Sequence, residues 1–152
     1  MAGRFRAAFD GGARGNPGTA AWGVAILDDA GRYLEGHAGA LGHATNNVAE
    51  YHGLLEALRL AIEREADDVE ILADSELIVR QIEGRYKVRK EHLKPLFAEA
   101  TRLIRRIKRF RLAHVPRKEN READRLVNLA LDRAETAMPD EPVRIVDRPD
   151  ET

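Results

Sequence analysis

Four carboxylates stand where the local pattern of the chain changes. Asp10 follows the apolar run "RFRAAF", Glu50 lies in "NNVAEY", Asp74 follows "VEILA", and Asp124 lies in "NREADRL". Taken singly, each has a structural explanation. Asp10 can begin a turn, since "GGARGNPG" comes next. Asp74 can cap the helix after it. Glu50 comes three residues after Asn47, the spacing of a capping box. Asp124 falls in the first turn of a helix, where a carboxylate favours the macrodipole. Taken together they suggest chemistry: two strands end in an acid and two helices begin with one. In an α/β sheet the carboxyl ends of strands and the starts of the following helices share an edge, so all four can converge on one crevice. Converging carboxylates repel one another unless cations lie between them. The chain has no cysteine and five scattered histidines, so the donors are oxygens, which suit Mg²⁺ or Mn²⁺ better than zinc. Two such ions, about 3.5 to 4 Å apart, activate a water on one side of a phosphodiester and stabilise the departing oxygen on the other. Gly11, Gly12 and Gly15 then offer room and exposed backbone beside Asp10 for a strand of nucleic acid.

The elements that must position these acids follow from periodicity. Phe5, Ala7 and Phe9 alternate as a strand ending at Asp10. "TAAWGVAIL" and "RYLEGHAGAL" are two more strands around the turn "DDAG", which makes the first third an antiparallel meander. From Asn46, apolar residues recur at helical spacing through Ile62. "VEILA" is a short buried strand, and the helix "SELIVRQIEG" follows it and ends at Gly84. Pro95 opens a helix to about Lys108, "RFRLAHV" is the last strand, and Asn120 caps a final helix. The expected architecture is α/β: a mixed five-stranded sheet, the three-stranded meander plus two further strands, with helices on both faces. One domain, 1–137, precedes a Pro- and acid-rich tail, 138–152, expected to be flexible.

Composition narrows the class. The 152 residues fit one domain with an ordinary core. A formal net charge of -1, from 25 basic and 26 acidic residues, says nothing about a polyanionic partner. Without cysteine there is no disulfide framework or thiolate chemistry. The N-terminus reaches its first acid too soon for a signal peptide, and no stretch approaches a membrane span. A cytoplasmic monomer without membrane contact is the expectation.

The motifs "FDGGARGNPG", "TNNVAEYHGLLEAL", "ILADSELIVRQIEG" and "HVPRKENREADRLVNLAL" occur in the order and with the spacing of ribonuclease H type 1, and the resemblance covers roughly residues 4–135. It implies an RNase H-like fold and a site in which Asp10, Glu50, Asp74 and Asp124 bind two divalent cations. It implies that Asp10 bridges both ions and that Glu50 also senses the ribose 2′-hydroxyl, which marks RNA. It further implies endonucleolytic cutting of the RNA strand of an RNA–DNA hybrid, leaving 3′-hydroxyl and 5′-phosphate ends. By position, Asn16 and Asn46 match residues that touch the hybrid's minor groove, and Thr45 matches a threonine that holds a DNA phosphate. The structural alternatives are a turn for Asn16 and helix capping for Thr45 and Asn46. Trp22 reads as core.

The chain departs from the pattern in two places. "HVPRKEN" is too short for the family's histidine-bearing loop. Counting back from Asp124 without gaps puts His114 in that role; the preferred alignment takes "HV" as the strand end and puts His114 in the sheet. Arg117 at the turn is then either a phosphate contact or an ordinary solvated arginine. "GRYKVRKEHLKPL" is likewise too short for the family's basic protrusion, although Arg85 to Lys90, with Arg89 among them, can still contact a nucleic-acid backbone. The alternatives to a hybrid-specific enzyme are a broader nuclease that also cuts double-stranded RNA and a catalytically silent nucleic-acid-binding module. An exonuclease of related fold is disfavoured, because Asp10-Gly11-Gly12 lacks the Asp-x-Glu pair usual on its first strand.

Overall fold

In the computed structural model, residues 3–149 are described. Three antiparallel strands, β1 (Arg4–Gly15), β2 (Gly18–Leu27) and β3 (Tyr33–Ala44), form the meander. The turn between β2 and β3 is closed by the Asp28 carbonyl oxygen, which accepts from the Gly31 N–H at 2.9 Å, with Gly31 at φ +83°. Helix α1 (Asn46–Glu63) leads to β4 (Asp68–Ala73), which lies parallel to β1. Helices α2 (Glu76–Ile82) and α3 (Lys94–Ile104) lead to β5 (Arg109–His114), parallel to β4. Helix α4 (Arg121–Thr136) and a strand β6 (Arg144–Asp147) complete the chain, and the sheet order is β5-β4-β1-β2-β3-β6.

The sheet therefore has six strands, not the expected five. The sixth comes from the segment read as a flexible tail, and among its described residues 144–147 are ordered against the edge of β3. Buried Ile145 between exposed Arg144 and Val146 gives this short strand its alternation. The Tyr33 hydroxyl and Arg125 both donate to Asp147 and fix the strand's end.

The two faces are packed differently. Phe5, Phe9, Trp22, Val24 and Ile26 pack with α1, α2 and α3 in the larger core. Ala21, Ala25 and Ala38 meet α4, whose Leu126, Val127, Ala130 and Leu131 fill the smaller one. Small side chains are needed there because α4 lies close to the sheet: a Cβ on Gly23 would sit 2.7 Å from the Ala123 carbonyl oxygen.

One local expectation fails in a way that matters for the site. β1 does not stop at Asp10 but runs on to Gly15, paired with β2 throughout, so "GGARG" is strand and not open loop. The parallel ladder between β1 and β4 ends at Phe9↔Ala73; Asp10 is the next residue of β1, and Asp74 immediately follows β4.

Candidate active site

Asp10, Glu50, Asp74 and Asp124 line one crevice of about 550 Å³. The strand ladder brings Asp10 and Asp74 side by side, α1 supplies Glu50 from its first turns, and α4 supplies Asp124 from its first turn. The capping explanations do not hold. Thr45 caps α1, its Oγ1 accepting from Val48 N–H at 3.2 Å, so Glu50 is outside any capping box. Ser75 caps α2, accepting from Ile78 N–H at 3.3 Å, which leaves Asp74 out of that role. Asn120 stands at the start of α4 but its side chain does not cap it.

The electrostatics are those of crowded acids. Burial, then the charge of Asp74, then those of Glu50 and Asp124, push the Asp10 carboxyl up to about 8, although the Gly11 N–H donates to its Oδ1 at 2.9 Å. Burial pushes Glu50 up to about 7, and the charge of Asp74 adds to it; the Ser75 hydroxyl, donating to Glu50, works against both. These groups ionise together readily only when positive charge joins them. Among the described residues no three acids are drawn in closely enough to form a ready-made metal cage. An open crevice whose acidic groups are all carboxylates suits Mg²⁺ or Mn²⁺, which keep water ligands and take further oxygens from a phosphate.

The glycines beside Asp10 divide into two kinds. A Cβ on Gly11 would lie 2.2 Å from the Ala49 backbone carbon, so Gly11 is there to let α1 approach β1, not to make room for a ligand. At Gly12 a Cβ would make only ordinary van der Waals contact, 3.8 Å from Val127 Cγ1, so that position accommodates a side chain.

The expected contact residues fall along a path of three cavities. Asn46 lines the acid crevice, and its Oδ1 accepts from Ala13 N–H at 2.8 Å while its backbone N–H donates to Asn16 Oδ1 at 3.0 Å. Asn16, Thr45, Asn46 and Glu50 line an adjoining cavity of about 360 Å³, together with Lys90 and His92. Asn47 and Lys90 are shared with a third groove of about 590 Å³, where Arg89 lies with Arg85, Tyr86 and Lys87. Arg89 is therefore not brought to the acids; Lys90 stands nearer, and nothing in the sequence ranks it above its neighbours. Arg80 and Arg85 pair with Glu83 and Lys94 with Glu91, whereas Lys87, Arg89 and Lys90 have no carboxylate partner among the described residues. Arg117 lines the acid crevice. His114 is in β5 opposite Ala73, exposed and away from the crevice lining, as the preferred alignment expects.

Residues 8–130 match the family model described as reverse transcriptase-like. Ribonuclease HI of Halobacterium salinarum is 41% identical over 133 residues, 87% of this chain and 66% of that protein. The crystal structure of that organism's RNase H1 superposes with a TM-score of 0.82 at 38% identity, covering 86% of this chain and 99% of the other. The chain belongs to the ribonuclease H type 1 family. LC11-RNase H1, solved in complex with an RNA/DNA hybrid, superposes with a TM-score of 0.81 at 41% identity over 87% of this chain and 99% of that one. The bifunctional protein Rv2228c of Mycobacterium tuberculosis is 42% identical over 140 residues, 90% of this chain. The chain spans only 38% of the length of that relative.

Two of the connections bordering the crevice and the basic groove are short. Residues 83–93 join α2 to α3 with a single 3-10 turn, Glu91–Leu93, and residues 115–120 join β5 to α4 through another, Arg117–Glu119. No helix among the described residues is long and apolar enough to cross a membrane.

Proposed function

We propose that this chain hydrolyses the RNA strand of RNA–DNA hybrids endonucleolytically, leaving 3′-hydroxyl and 5′-phosphate ends. The observation that carries the reading is the convergence of Asp10, Glu50, Asp74 and Asp124 on one crevice, with capping roles for Glu50 and Asp74 removed. These four carboxylates would hold two Mg²⁺ or Mn²⁺ ions, which when bound supply an activated water and compensate charge on the departing oxygen. Glu50 lines both the acid crevice and the adjoining cavity, which suits it to meet the 2′-hydroxyl that distinguishes RNA. Asn16, Thr45 and Asn46 sit beside it to orient the hybrid, Gly12 leaves backbone open to the strand, and Arg117 meets phosphate at the crevice mouth. Lys90, Arg89 and Lys87 extend the track along the nucleic-acid backbone, with an affinity that falls as salt rises. The protein acts as a monomer in the cytoplasm on this reading.

A second reading is broader cutting that includes double-stranded RNA. It is favoured by the two short connections, 83–93 and 115–120, since both border the path the substrate takes. End-labelled RNA–DNA hybrid, double-stranded RNA and single-stranded RNA, each with Mg²⁺ or Mn²⁺, separate the readings. Internal cuts confined to the hybrid support the first, cuts in both duplexes support the second, and no cation-dependent cutting leaves a silent binding module.

A further inference from the structure

Asn120 stands immediately before α4, where an asparagine ordinarily turns its side-chain oxygen onto a free N–H of the first helical turn. Here it makes no capping hydrogen bond, and its backbone, at φ -113° and ψ 35°, is not in the extended conformation of a cap. The amide is turned into the sheet instead. Nδ2 donates to the Phe9 carbonyl oxygen at 2.9 Å and to Asp74 Oδ2 at 3.2 Å. These two acceptors fix the orientation of the amide, because the flipped form would set Oδ1 against two oxygens. Oδ1 is left buried with no partner among the described residues, in a residue only 1% exposed. The backbone oxygen of Asn120, meanwhile, accepts from the Asp124 N–H at 3.1 Å. One buried residue thus touches the peptide before Asp10, the carboxylate of Asp74 and the peptide of Asp124.

An uncapped helix and an unpaired buried acceptor both weaken a folded protein. What the side chain supplies in return is a pair of donors, one of them directed at a proposed cation ligand. We propose that Asn120 is a positioning residue for the cation site, its amide holding the Asp74 carboxylate at a set distance from the strand that carries Asp10. An amide suits this task because it is neutral. A lysine or arginine would bind Asp74 more strongly but would compete with the cations for the same negative charge. The inference rests on the reading of the four carboxylates as cation ligands given above.

Asn120→Ser and Asn120→Gly test it, because both residues serve as helix caps, both are neutral and neither supplies the pair of amide donors. Mn²⁺ binding to the protein alone is measured by titration calorimetry, folding by thermal unfolding, and hybrid cleavage by kcat and KM separately. The expected result is a folded protein whose Mn²⁺ affinity and kcat fall about 10- to 100-fold, with KM for the hybrid little changed. A role confined to starting α4 would instead leave Mn²⁺ affinity and kcat within about twofold of the wild type in either folded variant, and that result overturns the proposal. Failure of both variants to fold also overturns it, since Asn120 would then be holding the fold and not the site. A wild-type chain that neither binds Mn²⁺ nor cleaves the hybrid overturns the cation reading itself, which the parallel wild-type titration makes visible.

Discussion

Replacing Asp10 with asparagine should make the metal-free protein more stable while abolishing the proposed cation-dependent cleavage. In the folded chain the Asp10 carboxyl is raised from 3.8 to about 8 by burial and by the neighbouring acids. The folded state therefore binds more protons than the unfolded state between these values, and stability falls as pH rises through that window. At pH 7 the full displacement would be worth about 4 kcal/mol. Because the crevice is open to water, which relaxes part of the repulsion, the expected gain from Asp10→Asn is about 1–3 kcal/mol. For a chain of this size that is a rise in Tm of about 3–10 °C. Asparagine keeps an oxygen for the Gly11 N–H, so the substitution removes the charge and little else. The assay is thermal or denaturant unfolding in chelator at pH 7.5 and at pH 4, with Mg²⁺ then restored. The gain should be large at pH 7.5 and small at pH 4, and Mg²⁺ should stabilise the wild type more than the variant. An Asp10→Asn protein no more stable than the wild type at pH 7.5 in chelator would refute the reasoning.

Other substitutions test the parts around the acids. Gly11→Ala should destabilise by about 3 kcal/mol or more, because its Cβ meets α1 backbone, whereas Gly12→Ala should cost less than about 1 kcal/mol; denaturant unfolding reads both. Ile145→Ala should cost about 2 kcal/mol by loosening β6 from the core beneath it, with hybrid cleavage per folded molecule unchanged. Alanine at Lys87, Arg89 and Lys90 together should raise KM for the hybrid and flatten its logarithmic salt dependence by about 1 for each phosphate that no longer meets a cation, with kcat preserved.

Much of the site was readable because its chemistry is local in the chain. Asp74 follows a strand, Glu50 and Asp124 lie in the first turns of helices, and Asp10 closes the alternating apolar run of β1, so changes in periodicity mark all four places without any structure. Three things were not readable, each for a physical reason. The course of β1 beyond Asp10 depends on pairing with Gly18–Gly23, and glycine-rich sequence carries no alternation to show it. Strand β6 has four residues in a Pro- and acid-rich segment, and what orders it is the open edge of β3 and the hydrogen bonds to Asp147, both distant in sequence. Asn120 looks like a helix cap by position, and only the tertiary approach of Phe9 and Asp74 draws its amide away. Gly11 was legible as a residue that needed to be small but not as to why, since the neighbour that demands it is Ala49.

The most direct test of the central claim takes the four carboxylates one at a time to their amides, Asp10→Asn, Glu50→Gln, Asp74→Asn and Asp124→Asn. Cleavage of an end-labelled hybrid is measured at saturating Mg²⁺ beside hybrid binding in chelator. Loss of cleavage in every variant, with binding retained, is the expected result for a shared cation site. Near wild-type cleavage in any two of the four would contradict it.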